Sequence, residues 1–178
     1  MRLPMLFMAI LVSAAANAQN ADQGVYDVKD REFTAEEVKR ALGPPPAAPG
    51  MQGRRTRGLS VEPVAPRKLS MQLQFAFDSA EITVGARSRL EALGTALASP
   101  ELSMATYIVS GHTDRTGRYD YNIALSRRRA EAVKAYLVAN YRLDPDRLIP
   151  VGKGPDALID PSDPAGAANR RVQIEVAN

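Results

Sequence analysis

Between Gly111 and Ala130 the chain reads GHTDRTGRYDYNIALSRRRA, and two residues there could do chemistry together. Apolar positions recur at helical spacing at Leu125, Val133, Tyr136 and Leu137. Arg129 lies four residues after Leu125 and four before Val133, so it shares their face. A guanidinium on a buried stripe is unfavourable unless something pairs with it. Asp114 is the nearest acidic candidate before the helix, and the two are expected to pair when no ligand is present. Arginine offers a carboxylate a planar fork of donors, and an aspartate suits an ammonium. The pair therefore fits a ligand presenting both groups close together. Thr113 and Asn122 are polar neighbours that can fill the remaining hydrogen-bond positions.

Each residue also has a plainer reading. Asp114 could cap the polar loop, Arg129 could make a structural ion pair, and Asn122 could cap the start of the helix. His112 sits two residues before Asp114, but a His/Asp catalytic pair also needs an activated nucleophile or a metal-bound water. No nucleophile-elbow pattern surrounds Ser110 or Ser126. The chain has no cysteine and one histidine, so thiolate and histidine metal sites are not expected. The reading is of no catalytic residue, no metal and no cofactor.

These residues need elements to position them. Leu69, Met71, Leu73, Phe75 and Phe77 alternate with Ser70, Gln72 and Gln74, which predicts a half-buried strand. Asp78 to Glu81 leaves it as a turn. Thr83 opens a helix with an apolar stripe at Ala86, Leu90, Leu93 and Leu97, ended by Ser99-Pro100. A second strand runs over 105–112 and delivers Asp114, and the Arg129 helix comes next, over 119–140. Asp144-Pro145 reads as a cap and short helical turn, 148–151 as a strand whose Pro150 favours an edge, and 171–176 as the closing strand. The order β-α-β-α-β-β predicts an α+β fold with helices packed on one sheet.

The ends carry other signals. Residues 1–18 read as a signal peptide, with Arg2, a short apolar run and Ala16-Asn17-Ala18 as cleavage site. Removing it takes the formal charge from +3 to +2, since Arg2 is its only charged residue. Such balance argues against a nucleic-acid partner. The chain has no second apolar run, so no transmembrane segment is expected after cleavage. Residues 19–66 read as an arm outside the core. It holds a capping box at Thr34-Ala35-Glu36-Glu37, a short helix and a Pro/Gly-rich linker, and could dock an envelope partner. The folded domain is placed at 67–178.

Gly111-His112-Thr113-Asp114, Tyr121-Asn122, Leu125-Ser126 and Arg128-Arg129-Ala130 together resemble the signature of the OmpA-like C-terminal domain family. Phe75-Ala76-Phe77-Asp78-Ser79, Gly152-Lys153-Gly154 and Asn169-Arg170-Arg171-Val172 extend the match over roughly residues 67–177. The resemblance implies a mixed four-stranded sheet with helices on one face. It also implies non-covalent binding of peptidoglycan in the periplasm, which would tether an envelope component to the wall. The ligand centre it implies is the meso-diaminopimelate of the stem peptide, recognised by Asp114 and Arg129, with Asn122, Thr113, Phe77 and Asp78 around them. Arg171 matches a family motif and is read as structural or site-supporting. The alternative is a periplasmic protein-interaction scaffold that no longer binds the wall. Two departures stand out: Pro155-Asp156 comes after Gly-x-Gly where relatives often have Glu, and the loop 152–168 lacks cysteines.

Overall fold

The computed structural model describes residues 25–44, 67–73, 75, 76 and 78–177. The expected signal peptide and the stretch 45–66 lie outside the described residues, as do Gln74 and Phe77. The elements are β1 (Val25–Asp27), α1 (Ala35–Leu42), β2 (Lys68–Met71), α2 (Val84–Leu97), β3 (Thr106–His112), α3 (Tyr119–Tyr141), β4 (Leu148–Gly154) and β5 (Val172–Ala177). Single 3-10 turns, Pro145–Arg147 and Ala167–Asn169, precede β4 and β5. The sheet runs β1-β2-β5-β3-β4. Its outer pairs are parallel, and β5 is antiparallel to both of its neighbours. The α+β class holds, and β4 lies at an edge, where Pro150 can be tolerated.

The sheet has five strands rather than four. The extra strand is β1, from the stretch read as an arm outside the core. It pairs in parallel with β2, and Val28, Phe33, Val38 and Leu42 are buried in the common core. The sequence hides this because Val28 and Phe33 stand between Asp27, Lys29, Asp30, Arg31 and Glu32, with no periodic run. The capping box at the start of α1 is present: the Thr34 hydroxyl accepts from Glu37 N at 3.3 Å, and Thr34 N donates to Glu37 Oε2 at 2.9 Å. Buried Arg89 of α2 ties this unit down by donating to the carbonyls of Gln72, at 2.9 Å, and Asp30.

The first predicted strand stops early, at Met71. Phe75 and Ile82 form an isolated antiparallel bridge around a turn in which Asp78 takes φ 51°. The core lines up across the strands as Leu69, Ile174 and Val109, with Met71 beside Val172. Leu90, Leu93 and Leu97 of α2 and Val133 and Leu137 of α3 cover it.

Arg147, in the 3-10 turn, closes the end of the domain far from Asp114 in sequence. Its Nε donates to Ala105 O at 3.0 Å and its Nη2 to Leu102 O at 2.7 Å and Leu97 O at 3.2 Å. Arg147→Ala would leave three carbonyls without this partner. The expected loss is about 2–4 kcal/mol, read as a lower urea midpoint with an unchanged slope.

Candidate functional site

The site is built at the C-terminal end of β3. The register with β4 slips between Gly111 and His112, where Gly111 opposes Gly152 and His112 opposes Gly154. Such a bulge bends the strand and re-aims the residues beyond it. Helix α3 lies hard against this point. A Cβ on Gly111 would sit 2.1 Å from Ser126 O. Ser126 Oγ in turn accepts from Gly154 N at 2.9 Å and donates to Ile123 O at 2.8 Å. The end of β3, the end of β4 and the first turns of α3 are thereby held as one piece.

Asp114 leaves this clamp with its carboxylate mostly shielded. One oxygen accepts from Thr116 N at 2.9 Å, the other from Arg170 Nη1 at 2.8 Å. Burial opposes its ionisation, but the bonds from Arg170 and Thr116 outweigh that and hold its carboxyl below the ordinary value. The partner of Asp114 in the free protein is thus Arg170, not Arg129. A guanidinium reaching in from the turn before β5 meets the carboxylate, while Arg129 is held elsewhere.

Arg129 is half-buried. Its Nε donates to Ser79 O at 3.1 Å and its guanidinium lies 4.9 Å from the centre of the Phe75 ring. Its two terminal nitrogens have no acceptor among the described residues. Burial lowers its pKa first and neighbouring Arg170 second, with Asp114 opposing. Arg129 and Arg170 line one open cleft of about 260 Å³ with Phe75, Gln72 and Arg89.

Thr113 and Asn122 belong to the same strand-to-helix junction as Asp114. Thr113 is buried, donates its backbone N–H to Gly154 O at 3.0 Å, and has no partner for its hydroxyl among the described residues. Asn122 is buried and donates to Thr116 O at 2.9 Å, so it braces the loop carrying Asp114. Asp78 is exposed and accepts from the Tyr121 hydroxyl. Phe77 lies outside the described residues. Arg171 is buried, its Nη2 donating to Ala157 O at 2.8 Å, and burial lowers its pKa to about 10.

Sequence reasoning passed over Arg170, although it stands in the quoted Asn169-Arg170-Arg171-Val172 motif. The missing signal is directional: a 3-10 turn, not a strand, sets where Arg170 points. Asn169 builds that turn. Its Oδ1 accepts from Asp160 N at 3.0 Å and its Nδ2 donates to Asp163 O at 2.8 Å. Arg115 N, next to Asp114, donates to Pro164 O at 2.9 Å and joins the two loops.

His112 is buried beneath the site, and neither ring nitrogen has a hydrogen-bond partner among the described residues. Burial first, then Arg171 and Lys153, lower its pKa to about 3. The folded protein therefore keeps it neutral while the unfolded chain protonates it below about 6.5. Its contribution is complete above that value and is lost as pH falls toward 3. At pH 4 the expected loss is about 3 kcal/mol relative to neutral pH. Urea unfolding from pH 7 to 4 should show this slope, and His112→Leu should flatten it.

Among the described residues no cluster of three His, Cys, Asp or Glu side chains could hold a metal ion, and no helix is long and apolar enough to cross a membrane. The α+β domain thus presents Arg129 beside an ionised Asp114 on a clamped sheet end. The chain belongs to the OmpA family, whose model matches residues 74–171. Outer membrane protein A of Bordetella avium is 33% identical over 184 residues, covering 98% of this chain and 93% of that protein. The peptidoglycan-associated lipoprotein of Haemophilus influenzae is 39% identical over 103 residues, covering 56% of this chain and 65% of the relative. The solved peptidoglycan-associated lipoprotein of Burkholderia pseudomallei superposes with a TM-score of 0.51 at 26% identity, covering 61% of this chain and 89% of that one. The relatives are outer-membrane or peptidoglycan-associated proteins by name.

Proposed function

We propose that this protein binds peptidoglycan non-covalently through the diaminopimelate of the stem peptide, and so ties an envelope component to the cell wall from the periplasm. The observation that carries the reading is the state of Arg129. Arg129 lines a cleft and its terminal nitrogens have no protein acceptor among the described residues, while Asp114 nearby is kept ionised. A ligand carboxylate would complete the guanidinium fork and ease the repulsion between Arg129 and Arg170. The ligand ammonium would meet Asp114. Thr113, Asn122, Phe77 and Asp78 complete the proposed surroundings. The peptidoglycan-associated relatives support the coarser part of this reading, association with the wall.

A tethered partner is assigned to residues 19–66. Of these, 25–42 are folded onto the domain and offer only the outward faces of β1 and α1. The test is co-sedimentation of the protein with purified diaminopimelate-type sacculi. Pelleting of the folded protein supports the reading, and its absence favours a scaffold that contacts protein partners without binding the wall.

A further inference from the structure

The cleft that holds Arg129 takes part of its wall from the N-terminal end of the chain. Asp30 lines it together with Gln72, Arg89, Arg129 and Arg170. It is the one carboxylate among the described residues of that lining, against three guanidiniums. Residues 25–44 lie outside the stretch 74–171 that carries the family match. The chain reaches Asp30 through a built turn. Val28 N donates to Ser70 O at 3.0 Å and Gln72 N to Lys29 O at 2.8 Å, which carries the pairing of β1 with β2 up to the cleft. Lys29 takes φ 52°, and its N–H donates to Asp27 Oδ1 at 3.0 Å, so the chain turns here. Two neighbours on α2 hold the turn: Arg89 donates to the carbonyls of Asp30 and Gln72, and Ser88 Oγ donates to Glu32 Oε2 at 2.6 Å. Arg89 therefore lines the cleft and at the same time grips the backbone of the unit that ends it.

The same unit is lightly held. β1 is three residues long and lies at the sheet edge, so it is paired on one side only. Four buried side chains, Val28, Phe33, Val38 and Leu42, and the bonds just given fix it to the domain. A short edge element opens more readily than the centre of a sheet. When it opens, Arg89 loses the Asp30 carbonyl and the cleft loses its carboxylate. A ligand that touches both Arg129 and Asp30 binds only the docked form, so docking and binding favour each other by the same factor. We infer that the β1–α1 unit is the second half of the binding site: Asp30 accepts from an N–H donor of the bound peptide, and docking of residues 25–44 is coupled to ligand binding. This rests on the wall-binding reading and extends its site to a segment outside the family match.

The probe is the free diaminopimelate-containing stem peptide, titrated into the full chain by calorimetry. Asp30 is exposed, so Asp30→Ala should fold as the wild type does. Its affinity for the peptide should fall roughly three- to tenfold, the effect of one partly solvated hydrogen bond. Asp30→Asn, which keeps an acceptor oxygen, should retain most of the affinity. Hydrogen exchange is the second measurement. Saturating peptide should slow exchange of the Val38 and Leu42 amides through local opening several-fold, because it binds only the docked unit. A unit with a purely structural role would open equally often with and without peptide. Peptide that binds the wild type and Asp30→Ala equally, or that leaves exchange over residues 25–42 unchanged, would overturn the coupled wall and leave binding at Asp114 and Arg129 intact. No binding by the folded wild type would overturn the wall-binding reading, and this inference with it.

Discussion

Arg129→Ala and Asp114→Ala are each expected to release the folded protein from diaminopimelate-type sacculi, with affinity falling by about 2–5 kcal/mol. The physical basis differs between them. Arg129→Ala removes the only guanidinium in the cleft whose terminal nitrogens have no protein acceptor among the described residues. The fork's geometry matters as much as its charge, so Arg129→Lys should recover little of the loss. Asp114→Ala removes the ammonium's partner and also frees Arg170, leaving an extra uncompensated cation beside the site. Asp114→Asn should therefore fail to rescue binding. Because Asp114 is held below the ordinary carboxylate range, wild-type binding should be flat from pH 8 to about 5. Co-sedimentation with circular dichroism on each variant is the measurement. Folded variants that still pellet like the wild type would place wall binding elsewhere on the molecule.

Gly111→Ala is expected to be strongly destabilising for so small a change. Its Cβ would stand 2.1 Å from Ser126 O and 2.9 Å from Ser126 C, both backbone atoms of a packed helix. Neither can swing aside as a side-chain end can, so α3 must lift from β3. That breaks the Ser126 bond to Gly154 N and spreads Asp114 from Asn122 and Arg129. Such overpacking at a fixed backbone is expected to cost about 4 kcal/mol or more. Gly117→Ala makes the contrast. It carries a positive φ but meets no atom, so only backbone strain of about 1–2 kcal/mol opposes it. Thermal melts of both variants should separate the two mechanisms. A Gly111→Ala protein as stable as wild type would show that α3 is not held against β3 as described.

Much of this protein was legible along the chain. The helical stripe of α2, the β-rich run of β3 and the spacing of Leu125, Val133 and Leu137 in α3 are local properties, and local spacing encodes them. Asp114, Thr113, Asn122 and Arg129 were legible as a group because they flank one strand-to-helix junction. The junction's glycines and Ser126 then hold them in one place.

The rest required the third dimension. Val28, Phe33 and Val38 enter the core singly, among charged residues, and only the pairing of β1 with β2 makes them buried. Arg170 lies 56 residues beyond Asp114. Its ion pair depends on a 3-10 turn built by Asn169, whose bonds within the loop no periodicity reveals. The sequence determined that an acid and an arginine would flank one junction. Tertiary structure decided that the acid is held by a different arginine. The reason is that pairing obeys distance in the folded state, and Phe75 and the Ser79 carbonyl hold Arg129 where it lines the cleft.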